Sequence, residues 1–166
     1  EMETVVIRPF NTFGPRSHHE GDAGELIPKS IVRGLNGQPI LVFGDGAQTR
    51  DFTFVKDTAR GLALAATTDG LVGGTYNIGA DFEISIREVA ETIRDSVGAG
   101  ATVDFVKSRP GDVLRLYADS SRFRELTGWA PRVSFEEGLE ETINWFASRP
   151  EGPEALIKQE TGFNWE

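Results

Sequence analysis

Thr4-Val5-Val6-Ile7-Arg8-Pro9-Phe10-Asn11-Thr12-Phe13-Gly14-Pro15-Arg16 is the most telling run of this sequence. Thr4 to Arg8 is short, apolar and β-branched, the composition of a buried strand. Pro9 ends it, and Asn11-Thr12-Phe13-Gly14-Pro15 that follows is rich in turn formers.

Working outward, Ser17 to Gly24 is polar and glycine-rich and reads as an exposed, mobile loop. Pro28 suits the first turn of a helix with Ile27, Ile31, Val32 and Leu35 on one side and Gly37 as its stop. Ile40–Phe43 and Phe52–Val55 read as strands with Gly44-Asp45-Gly46 as the turn between them. The connection through Arg50 is longer than a two-residue hairpin, so their pairing stays open. Asp57 is expected to cap a helix over about 58–68 that turns Ala59, Leu62, Ala63 and Ala66 inward. Thr75–Ile78 is a further strand. Ser85 with Glu88, and Ser134 with Glu137, have the spacing of capping boxes. The first opens a helix burying Ile86, Val89, Ala90 and Ile93 and stopping near Gly98. The second opens one carrying Leu139, Ile143 and Phe146. Between them come a strand at Thr102–Val106, a loop at Ser108–Leu116 and a short helix at Arg122–Leu126 ended by Gly128. Trp129 and Trp145 read as core. After Pro150 the chain is polar and acidic, with Phe163 and Trp165 isolated. The mixed order of strands and helices makes the class α/β or α+β.

Composition narrows the function. The chain has 166 residues, enough for one domain or two lobes sharing a core, and a net charge of 17 − 26 = −9. That balance argues against nucleic acid as a partner. No apolar run reaches the roughly 18–20 residues that span a bilayer, so no membrane partner is expected. The absence of cysteine removes disulfides, thiolate nucleophiles and thiolate metal sites and suits a reducing cytoplasm. Of the 17 basic residues, 13 are Arg, whose planar fork matches carboxylate and phosphate.

Standard catalytic patterns are missing. Neither Gly44-x-Gly46 nor Gly98-x-Gly100 completes a dinucleotide fingerprint, no lysine follows a glycine, and neither tyrosine has a lysine four residues on. His18, His19, Glu20 and Asp22 invite a metal reading, but no helical spacing converges them, so an ordinary solvated loop is the expectation and no metal is assigned. Arg50 and Arg109 carry more information. Both fall on expected loops, and two forks converging on one diphosphate would make charge-assisted, bidentate bonds. The competing reading is a surface ion pair with Asp51 or Asp112. Leu41 and Phe43 share a strand face that can cover a flat heterocycle or simply belong to the core.

Arg8-Pro9-Phe10-Asn11-Thr12-Phe13-Gly14-Pro15 resembles the Arg-x-Phe-Asn-x-Tyr-Gly-Pro stretch of extended short-chain dehydrogenases/reductases, the NAD-dependent nucleotide-sugar epimerases and dehydratases. Six further segments match in the same order: Leu26-Ile27-Pro28, Phe43-Gly44-Asp45-Gly46 through Phe52, Phe54-Val55-Lys56-Asp57, Thr75-Tyr76-Asn77-Ile78-Gly79, Gly128-Trp129-x-Pro131, and the helix from Glu137 to Phe146. The resemblance covers about residues 2–148. It implies an α/β fold made of the C-terminal substrate-binding lobe (1–148) plus the last strands of a Rossmann-type parallel sheet, near 4–8 and 75–78, with 149–166 a polar tail.

By the same resemblance, Asn11 contacts the substrate's diphosphate or sugar, and Leu26, Leu41 and Phe43 line the base slot. Arg50 and Arg109 lie on the diphosphate, Asn77 near the nucleotide, and Asp112 near the ribose or base. Pro9 and Phe10 match positions beside the nicotinamide. The glycine fingerprint and the Tyr-x-x-x-Lys pair belong to an N-terminal Rossmann half that this sequence does not contain. No catalytic residue is therefore assigned here, and the expected partners are a UDP-sugar and that complementary half. Parent enzymes of this kind are commonly homo-oligomers. The shared reaction starts with oxidation at the sugar's C4. Residues 11–16, 49–58 and 109–116 most resemble dehydratases acting on UDP-N-acetylglucosamine, so 4,6-dehydration is the leading expectation, 4-epimerisation of a UDP-sugar the alternative, and a non-catalytic sugar-nucleotide-binding module the second.

Overall fold

A computed structural model describes residues 2–21, 24–98 and 100–160; Phe163 and Trp165 lie outside them. In chain order the elements are β1 (Val6–Pro9), β2 (Thr12–Phe13), α1 (Leu26–Leu35), β3 (Ile40–Phe43), β4 (Thr49–Asp51), β5 (Thr53–Phe54) and α2 (Val55–Thr67). There follow β6 (Thr75–Ile78), β7 (Glu83–Ser85), α3 (Ile86–Val97), β8 (Val103–Val106), β9 (Arg115–Leu116), α4 (Ser121–Thr127), α5 (Phe135–Ala147) and α6 (Pro153–Leu156). A 3-10 turn, Ile157–Gln159, closes the described chain.

Three parallel pairs carry the architecture. β1 pairs with β6 (Val6 opposite Thr75), β2 with β5 (Thr12 opposite Thr53) and β3 with β8 (Ile40 opposite Val103). β4 lies between antiparallel β7 and parallel β9. This is the expected α/β class with parallel strands. Ile40–Phe43 and Phe52–Val55 do not form a hairpin, because their partners are β8 and β2, and Val55 already belongs to α2.

Both capping boxes are present. The Ser85 and Ser134 hydroxyls accept from the N–H of Glu88 and Glu137, whose carboxylates return to the cap N–H. Each satisfies two helix-end donors that would otherwise lack partners. The helices behind them pack with α1 over β3, β5 and β7 in the larger core, whose buried side chains include Phe13, Ile31, Val42, Val89, Leu139 and Phe146. A smaller core joins Tyr76 and Ile78 of β6 to Ala65, Leu71, Phe123 and Trp129.

Three expectations fail here for tertiary reasons. β1 is not a buried strand: Val6 is 50% exposed, since among the described residues β1 has a neighbour on one edge only. α2 begins at Val55, so Asp57 lies inside its first turn and is not its cap. Its inward face is Thr58, Gly61 and Ala65, whereas Ala59, Leu62, Ala63 and Ala66 are exposed. Gly61 sets that rotation, because a Cβ there would come within 2.5 Å of Ile78 Cδ1, and close approach of helix to strand needs the bare side. Trp129 is core as expected, and Trp145 packs against the core only half-buried. Beyond residue 148, α6 docks through the buried Leu156, and the Asn36 amide donates to Pro153 O at 2.9 Å. Among the described residues no helix is long and apolar enough to cross a membrane.

Candidate functional site

One cleft of about 460 Å³ lies between α1, β3, β4 and the loop after β8, within the size range of small-molecule sites. Asn11, Leu26, Leu41, Phe43, Arg50, Arg109 and Asp112 all line it. Alternation along β3 explains two of them. Ile40 and Val42 point into the core, and Leu41 and Phe43 are left half-buried on the cleft face. Leu26 enters from the first turn of α1.

Arg50 is on a strand, not a loop. β4 holds it between β7 and β9, and Glu83 clamps the three strands together by accepting from Arg115 of β9 and from the Thr49 hydroxyl. Those two partners hold the Glu83 carboxyl down at about 2. The Arg50 side chain, 15% exposed, donates from Nη2 to Asp112 Oδ1 at 2.6 Å and from Nη1 to Val113 O at 2.7 Å. The ion-pair reading of Arg50 holds, with Asp112 as the partner and not Asp51, and the same side chain lines the cleft. Arg109 lays its guanidinium 4.3 Å from the Phe43 ring centroid, a cation–π contact. Burial lowers its pKa, the Asp112 charge opposes this and Arg50 adds to it. The guanidinium stays charged at neutral pH, far below its titration.

Asn11 adopts a left-handed backbone (φ 31°), which asparagine tolerates better than most residues. Its side-chain amide donates to Asp51 O at 2.8 Å and its backbone carbonyl accepts from Thr53 N–H at 3.3 Å, so the turn after β1 is pinned to β4 and β5.

Asn77 lies outside the cleft, as do Pro9 and Phe10, which the resemblance sets beside the nicotinamide and not in the base slot. Asn77, on β6, donates to Asp119 O at 3.3 Å and does not reach the cleft. Pro9 ends β1 and Phe10 donates its N–H to Ile78 O at 2.9 Å; neither lines the cleft. The His18–Glu20 loop is only partly solvated. His19 is 5% exposed, edge-on to Phe146, and burial lowers its pKa. Among the described residues no group of three His, Asp or Glu side chains is placed to hold a metal ion.

The cleft also contains residues the sequence did not point to. Gln48 reaches Phe43 O at 3.0 Å and Asp112 Oδ2 at 3.3 Å. Arg33, two turns along α1 from Leu26 and so on the same helical face, pairs with Glu160 at 2.8 Å, and both line the cleft. The spacing from Leu26 is a signal for Arg33; nothing local marks Glu160.

Parallel strand pairs beside a cleft lined by three arginines, a ring-bearing strand and an asparagine turn define an α/β lobe whose cleft suits an anion. Residues 1–142 match the family model described as GDP-mannose 4,6 dehydratase. The chain belongs to that family, within the extended short-chain dehydrogenases that comprise nucleotide-sugar epimerases and dehydratases. It is 38% identical over 157 residues to a dTDP-glucose 4,6-dehydratase of Neisseria gonorrhoeae, covering 87% of this chain and 44% of that one. It is 37% identical over 145 residues to UDP-glucuronic acid decarboxylase 1 of Xenopus tropicalis, covering 87% and 34%. The solved structure of an epimerase from Methanothermobacter thermautotrophicus superposes with a TM-score of 0.87 at 35% identity, covering 96% of this chain and 46% of that one. The chain thus spans less than half the length of these relatives.

Proposed function

We propose that this chain is the substrate-binding part of an enzyme that processes nucleotide sugars, and that its cleft holds a nucleoside diphosphate sugar, specifically a UDP-sugar. The observation that carries this reading is the convergence of Arg50 and Arg109 on one cleft beside the Leu41–Phe43 face. Two rigid cationic forks suit a diphosphate, and a half-buried aromatic strand face suits a base. The reaction we assign to the parent enzyme is 4,6-dehydration, in line with the family model and the dTDP-glucose 4,6-dehydratase relative. The alternative, 4-epimerisation, draws on the structural likeness to an epimerase.

Such chemistry uses NAD, but the described residues do not fit a dinucleotide by themselves. They contain no glycine-rich strand-to-helix turn. We place NAD mainly on a complementary N-terminal Rossmann half that meets this chain along β1.

Calorimetric titration with UDP tests the site. Arg50→Ala and Arg109→Ala should each weaken binding by about 1.5–3 kcal/mol, the scale of hydrogen bonds to charged groups. Unchanged affinity in both variants refutes the diphosphate pocket. Mixing the chain with a separately made Rossmann half, NAD and UDP-sugars tests the reaction. A 4-keto-6-deoxy product supports dehydration, a C4 epimer supports the alternative, and no turnover with intact UDP binding favours a non-catalytic binding module.

A further inference from the structure

Arg50 already holds an anion that belongs to the chain. Its Nη2 donates to Asp112 Oδ1 at 2.6 Å and its Nη1 to the carbonyls of Val113 and Thr49 at 2.7 and 2.8 Å. The second Asp112 oxygen accepts from Gln48 Nε2 at 3.3 Å. A carboxylate therefore sits on the guanidinium that lines the cleft.

The segment bearing Asp112 lies at the surface. Residues 107–114 are all exposed. They are tied at one end by the β3–β8 ladder and at the other by the Thr49 N–H to Leu114 O bond at 2.8 Å. Between those anchors Val113 O accepts from Arg50 Nη1 at 2.7 Å and Arg109 lies on the Phe43 ring, whereas the bond that folds the turn at Asp112 itself, from its N–H to Arg109 O, is long at 3.5 Å. The Asp112 side chain is 29% exposed against 15% for Arg50, so water reaches the pair from the Asp112 side and can solvate that carboxylate when it leaves the guanidinium.

We infer that Asp112 is an internal competitor for the anion subsite at Arg50, and that a ligand phosphate binds there by exchanging with this carboxylate. The inference rests on the diphosphate reading above and adds a threshold to it. A site partly filled by its own anion has its apparent affinity for every external anion lowered by the fraction of time it is open. Weak single-charge anions then fail to occupy it. A diphosphate, with more charge and two-pronged bonds to arginine, still displaces the carboxylate.

Inorganic pyrophosphate is the probe, because it carries the diphosphate without base, ribose or sugar. Titrated into the protein, it should bind Asp112→Asn and Asp112→Ala about fivefold more tightly than wild type, which is ~1 kcal/mol. Arg50→Ala added to Asp112→Asn should abolish that gain. In wild-type protein the Asp112 side-chain carboxyl carbon resonance should move toward that of a free aspartate as pyrophosphate is added. Equal or weaker binding in both Asp112 variants, or a carboxyl resonance that stays in place while pyrophosphate binds, overturns the exchange and leaves the diphosphate pocket standing. Pyrophosphate that binds neither wild type nor the variants overturns both.

Discussion

Asp51, at the end of β4, and Asp57, in the first turn of α2, are buried carboxylates that each tie a different region of the chain together. Asp51 accepts from the N–H of Ala80 at 2.8 Å and of Ala118 at 3.3 Å, fastening the cleft strand to the ends of β6 and β9. Asp57 accepts from Arg132 N–H at 2.8 Å, Val133 N–H at 3.0 Å and the Arg60 guanidinium at 2.6 Å, fastening α2 to the turn before α5. Their ionisation moves in opposite directions. Burial raises the Asp51 pKa; the N–H groups of Ala80, Ala118 and Asp81 only partly oppose this, and the Asp81 charge adds to the rise. Burial acts the same way on Asp57, but Arg132 N–H, Arg60 and Val133 N–H outweigh it and the pKa falls. Burial alone does not decide whether a carboxylate is comfortable as an anion. A donor that itself carries a charge, Arg60, is found on Asp57 and not on Asp51, and favours the anion.

The contrast can be broken by substitution. Asp57→Ala should have the largest effect. It strands a part-buried Arg60 and two backbone donors, at a cost of about 3 kcal/mol, read as a lower urea midpoint. A loss no larger than that of an exposed ion pair would mean that water or a rearranged turn replaces the clamp. Asp51→Asn keeps the shape and one good acceptor but turns an amide NH2 toward one of the two N–H groups. The expected cost is about 1–2 kcal/mol.

Acid sharpens the comparison further, with the smallest effect. The folded pKa of Asp57 lies below its unfolded value, so its stabilisation is full above the unfolded carboxylate range and is lost as pH falls through the folded value. The folded pKa of Asp51 lies above its unfolded value, so the fold gains stability as pH falls through that raised value. Urea midpoints between about pH 3 and 7 should therefore decline less toward acid in Asp57→Asn and more steeply in Asp51→Asn. Parallel profiles for wild type and both variants would refute the assignment of opposite shifts.

What could be read from the sequence follows how local each cause is. The boxes at Ser85–Glu88 and Ser134–Glu137 lie within one helical turn, so spacing alone identifies them. The face of α2 does not work this way, because alanines and leucines occur on both sides of the helix. Contact of Gly61 with Ile78 and Trp129 chooses between them. β4 escapes notice because Thr49-Arg50-Asp51 is polar and its partners are the distant β7 and β9. In the cleft, Asn11, Leu26, Leu41, Phe43, Arg50, Arg109 and Asp112 came from motifs and were brought together. Asn77 came from a motif too, yet its β6 position leaves it on the Asp119 carbonyl. Glu160 had no local signal, since one glutamate in an acidic tail resembles its neighbours.

Glu160 also has a consequence in time. Its pair with Arg33 joins residues 127 positions apart, and the backbone of Gln159 accepts from Gly21 N–H at 2.7 Å. Chains that emerge from the ribosome fold from the N-terminus first. Arg33 and most of the cleft-lining residues are thus made long before the residue that walls its far end. A ribosome-bound chain ending at residue 148 already contains the three cleft arginines, Arg33, Arg50 and Arg109, but cannot close that wall. The complete cleft forms only after residue 160 has been made and the last described turn returns to α1.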